Sequence, residues 1–136
     1  MIQMFQPARN EDNGQVLPVH FTKIYKVPND FQTILLNSCY DCHSNNTRYP
    51  WYSYIQPARS LMEWHIKNGK EKLNFSTWGN YSKRQQETKL ERIVKQIKTD
   101  EMPLASYTLI HKNAILSPGQ KEVIINWINT INHNEF

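Results

Sequence analysis

Five consecutive residues, Cys39-Tyr40-Asp41-Cys42-His43, hold the only two cysteines of this 136-residue chain. Cysteines three positions apart on a helical turn meet two vinyl groups on neighbouring pyrrole rings of a haem. The thioethers fix the ring, and the histidine that follows lies under the iron and binds it through a ring nitrogen. The motif points to one covalently attached haem, held by Cys39 and Cys42, with His43 as the proximal ligand. Other chemistries compete for these residues. A CxxC redox pair usually opens a helix after a strand, and no strand pattern precedes Cys39. A zinc site needs two more ligands at short spacing. His65 and His111 are present, but a second paired motif is not. With both cysteines inside one pentapeptide, a stabilising disulfide framework is excluded.

The other face of the iron needs its own ligand. Met102 stands in Asp100-Glu101-Met102-Pro103-Leu104. A methionine before proline in a loop suits ligation, because proline stiffens the chain and removes a backbone donor. The order is that of small class I cytochromes c: attachment motif, methionine loop, then a helix carrying an aromatic residue. Met102 can equally be a gap-filling core methionine. His65 is the rival ligand, on the apolar face of a predicted helix. His111 follows the methionine loop and could instead bond a backbone carbonyl or a propionate. His20 and His133 lie near the ends and are expected in solvent. Met4 and Met62 are weak candidates.

The elements that must position these residues are helices. Residues 1–28 form an irregular arm, broken by Pro7, Pro18 and Pro28 and lying on the domain of residues 29–136. A first helix starts at Asn29 or Asp30, buries Phe31, Ile34 and Leu35, and runs into the cysteines. A second has Pro57 at its first position and stops before Gly69, with Ala58, Leu61, Met62 and His65 on its apolar face. A third opens on Ser82 and Gln85 as a capping box and carries Leu90, Ile93, Val94 and Ile97. The fourth opens Ser117-Pro118-Gly119-Gln120, again a capping box, and buries Val123, Ile124, Trp127, Ile128 and Ile131. No segment alternates apolar and polar residues over six positions. The predicted class is all-α, a cytochrome c-like domain around one haem, with long loops.

The length allows one domain and one core. The apolar fraction is 39%, below the usual range of about 45–50%, so a rigid apolar cofactor would help to fill the interior. The net charge of +4 is compatible with an acidic partner, with an anionic membrane surface, or simply with a lysine-rich solvated surface. No run of about 20 apolar residues exists to span a membrane. The start, MIQMFQPARN, lacks the apolar stretch of a signal peptide. Covalent haem attachment needs an assembly system outside the cytoplasm. A native signal or membrane anchor is therefore expected to have been removed, with Met1 an added start.

The stretches CYDCHSNNTRYPWYSYIQP, NGKEKLNFSTW and EMPLASYTLIHKNAILSPGQ, with a closing tryptophan, resemble the bacterial haem-binding domain family. This is a single-haem, cytochrome c-like module, and the resemblance runs from about Gln6 to about Ile131. It implies attachment through Cys39 and Cys42, His43 as proximal ligand and Met102 as distal ligand. Met-Pro-Leu stands where the family often has a second proline. Members generally look exported or membrane-anchored, which implies a periplasmic location. Arg48, Tyr49 and Trp51 are candidates to satisfy the haem propionates, and the Asn74–Trp78 turn is a candidate to close over the haem edge.

The resulting expectation is a monohaem c-type cytochrome that transfers electrons to an unidentified redox partner protein. It is read as an electron carrier rather than an enzyme, a monomer, with no nucleic-acid partner and membrane contact only through an anchor. The alternative is a haem-based sensor or peroxidase-like protein with a labile or open sixth iron position.

Overall fold

The computed structural model describes residues 9–12, 15–109 and 111–135, with only the backbone of Ser106 and of 132–135. The described residues are helical or irregular, and none forms a strand. The helices are α1 (Phe21–Ile24), α2 (Asn29–Ser38), α3 (Tyr40–His43), α4 (Ala58–Lys72), α5 (Lys83–Lys98), α6 (Ala105–Thr108) and α7 (Pro118–Glu135). Short 3-10 turns cover Trp51–Tyr54, Phe75–Asn80 and Lys112–Ala114. No described helix is long and apolar enough to cross a membrane.

Local chemistry explains most of these boundaries. The Ser82 hydroxyl accepts from the Gln85 amide while the Gln85 side chain accepts from the Ser82 amide, completing the capping box of α5. Ser117 and Gln120 make the same reciprocal pair ahead of α7. Ile124 and Ile128 of α7 are fully buried against α5 and α2, with Val123, Trp127 and Ile131 partly buried beside them.

Four expectations are corrected by the structure. Helix α4 does not stop before Gly69 but runs on to Lys72. Its buried residue is Ile66, whereas Leu61 is 59% exposed; the helix instead turns Gly69 toward Cys42, which packs against it. The N-terminal arm is not irregular throughout. It contains α1, and Phe21, Tyr25 and Val27 lie in the core. Phe21 packs edge-on against Tyr25, Phe75 and Trp78. His20 is buried, and its Nδ1 caps α1 by accepting from the Thr22 amide. It was expected in solvent. Met4 and the side chain of His133 lie outside the described residues.

Candidate haem site

The motif from Cys39 to His43 is a break followed by one tight helical turn. The Cys39 amide still bonds back to Leu35, but its φ of −126° ends α2, and α3 begins at the next residue. The amides of Cys42 and His43 both return to the Cys39 carbonyl. Helix α4 lies against this turn at Gly69. A Cβ there would stand 2.7 Å from the Cys42 carbonyl oxygen, so only glycine permits the approach. The closeness has a chemical result. Nδ1 of His43 lies 2.9 Å from the carbonyl oxygens of both Gly69 and Leu73. Carbonyls only accept, so Nδ1 carries the proton and Nε2 keeps a free lone pair. Burial pushes the His43 pKa below its ordinary value, which favours the neutral ring. A neutral imidazole with its second nitrogen tethered is the form a metal requires.

Two adjoining clefts open beside this ring. One, of about 1020 Å³, runs inward between α2, α5 and α7 past Phe31, Leu90, Ile97 and Ile124. The other, of about 810 Å³, is bounded by Cys42, His65, Gly69 and Tyr107. Cys39, His43, Lys72, Met102 and Pro103 line both. The motif and the methionine loop, about sixty residues apart in sequence, thus share one apolar space. Burial pushes the Cys39 thiol up to about 12 and the Cys42 thiol up to about 11. A thiolate redox pair needs the opposite shift. Among the described residues no group of three or more histidine, cysteine or acidic side chains is arranged to hold a metal, as zinc would need.

Met102 is delivered by the way α5 ends. The Glu101 amide bonds to the Gln96 carbonyl and the Asp100 amide to that of Ile97. These are the two bonds of a Schellman cap. Asp100 takes the left-handed position, at φ 59°, where glycine is the usual residue. Its carboxylate pairs with Lys121 at the start of α7, so the chain turns back at a fixed point and Met102 follows two residues later.

Several other candidates are engaged elsewhere. Arg48 donates to the Asp41 carboxylate at 3.3 Å and to the Leu36 carbonyl at 2.7 Å. The hydroxyl of Tyr49 accepts from the Asn10 amide, and the Arg9 guanidinium stacks on the Tyr49 and Tyr54 rings. Trp51 is 77% exposed. The structure does not bring Arg48, Tyr49 or Trp51 to the clefts; Arg48 braces Asp41 and the end of α2, and Tyr49 holds Arg9 and Asn10 instead. His111 bonds to the Tyr52 hydroxyl at 2.6 Å and stacks on Tyr107, also outside the clefts. His65 does line the second cleft. Of the Asn74–Trp78 turn, Phe75 lines the first cleft, while Trp78 is wholly buried in the aromatic core.

Asp41 was missed as a positioning residue. It is 5% exposed and accepts from the Arg48 amide and guanidinium and from the Tyr107 hydroxyl. It therefore ties the turn from Cys39 to His43 to α6, just beyond the methionine loop. Its place between the two cysteines was the available signal.

A family model described as a haem-binding domain matches residues 1–130. The chain belongs to the haem-binding domain family. No curated protein and no solved structure matches it significantly. The donor set fits the group that gives the haem-binding domain its name. It offers one tethered neutral imidazole, two protonated thiols three positions apart, a thioether on the same space and apolar walls.

Proposed function

We propose that this chain is a monohaem c-type cytochrome that carries electrons outside the cytoplasm. The carrying observation is that Cys39, His43 and Met102 line one cleft while His43 has only Nε2 free. Cys39 and Cys42 would hold the haem covalently, and His43 and Met102 would ligate its iron. When bound, the haem supplies an iron that exchanges one electron. The chain's residues set the terms. Gly69 and Leu73 orient the imidazole and raise its basicity as a ligand. Met102, a soft and weak donor, favours the reduced iron relative to a second histidine. The apolar walls exclude water, which favours the less charged state of the centre. With His43 and Met102 both holding the iron, the role would be that of an electron carrier rather than an enzyme. Covalent attachment implies a periplasmic location, either free or on an anchor, and a protein redox partner.

His65 supports a second reading of the distal ligand, because it lines the cleft that also holds Met102. The visible spectrum of the oxidised holoprotein separates the two. With methionine on the iron, a methionine-to-iron charge-transfer band is present and is lost in Met102→Ala. If the band is absent, and the spectrum changes in His65→Ala but not in Met102→Ala, the ligand is His65. A high-spin spectrum, with carbon monoxide binding after reduction, would instead mark an open-site sensor or peroxidase-like protein.

A further inference from the structure

The expected propionate partner Arg48 is committed to Asp41, so another group must meet the anionic edge of a haem. The first cleft is apolar inside and basic at its mouth. Lys72 closes α4, and Lys89 and Arg92 lie three apart on one face of α5. No aspartate or glutamate lines this cleft, and among the described residues no carboxylate pairs with any of the three. The other cations of α5, Lys83, Arg84, Lys95 and Lys98, face elsewhere. Lys89 is also held in place. Its ammonium donates to the Lys72 carbonyl and sits 4.4 Å over the Tyr81 ring. Lys89 and Arg92 bring two like charges to the edge of one apolar space, and an anion between them relieves their repulsion.

We propose that Lys89 and Arg92, supported by Lys72, are the carboxylate-binding mouth of the cleft and hold the haem propionates. The inference rests on the haem reading above and extends it to residues that the sequence motif does not mark. It also fixes an orientation, with the carboxylate edge of the ring toward α5 and the thioether edge toward α3.

The test is the reduction potential of the covalent holoprotein as a function of pH. Ionised propionates stabilise the oxidised iron, so the potential falls with rising pH across the propionate step. Cations on the carboxylates keep that step at low pH. In Lys89→Gln/Arg92→Gln the step should move up by roughly one pH unit. Arg92→Gln alone should move it part of the way, and Lys89→Arg should leave it in place. Lys83→Gln/Arg84→Gln removes the same charge from the same helix away from the cleft and should not move it. A double variant whose step stays where the wild type has it overturns the proposal. A wild-type protein without covalent haem, seen before any potential is measured, overturns the haem reading and this proposal together.

Discussion

Gly69 joins two jobs that a reader of the sequence would assign to different residues. Its missing side chain admits the Cys42 carbonyl, and its own carbonyl holds the His43 ring. Glycine inside a helix normally costs about 1 kcal/mol relative to alanine, so Gly69→Ala on an isolated α4 would stabilise. Here the added Cβ meets backbone at 2.7 Å, and overpacking of this kind costs roughly 1–3 kcal/mol. Gly69→Ala is therefore expected to lower the denaturation midpoint and the yield of haem-loaded protein. An unchanged midpoint would show that the helices can part without loss. At this scale the motif from Cys39 to His43 could be picked out, because it is defined by the local spacing of five residues. The roles of Gly69, Asp41 and Arg48 were not. Each depends on an element brought in from elsewhere in the chain: α3 onto Gly69, α6 onto Asp41, and Asp41 itself onto Arg48.

Helix boundaries follow the same division. Ser82 with Gln85 and Ser117 with Gln120 announced α5 and α7, since a capping box is a contact between residues three apart. The end of α5 was silent, because aspartate rather than glycine fills the left-handed position. Helix α1 was hidden by its four-residue length and by a histidine cap. That cap titrates. Burial, then the nearby Lys23, lowers the His20 pKa from 6.5. Nδ1 must stay unprotonated to accept from Thr22. The unfolded chain therefore takes up its proton first as pH falls. His20 adds no pH dependence above the ordinary histidine value, and its contribution to stability declines as pH drops through and below 6.5. His20→Asn keeps a capping oxygen without the titration. Its denaturation midpoint should fall less between neutral and mildly acid pH than that of the wild type. Equal slopes would show that His20 does not control α1.

The cleft runs through the centre of the molecule. Phe31, Leu35, Leu90, Ile97, Ile124 and Ile128 are core residues and also cleft lining. The core and the site are thus one structure, as the modest apolar fraction suggested: the walls that make the domain stable are those that would enclose the ring. Fold class could be read from helical periodicity, and the pairing of the motif with the methionine loop from their order along the chain. The basic mouth could not, since Lys89 and Arg92 look like any solvated helix face until Lys72 and the cleft are placed beside them. This space is proposed to hold a haem bonded to Cys39 and Cys42. That proposal is tested most directly by exporting the protein in a host with the attachment system, denaturing it and measuring the haem absorbance that remains on the chain. One haem per chain should survive denaturation and be lost in Cys39→Ala/Cys42→Ala. Haem that extracts from the denatured wild type, or equal retention in the double variant, would contradict it.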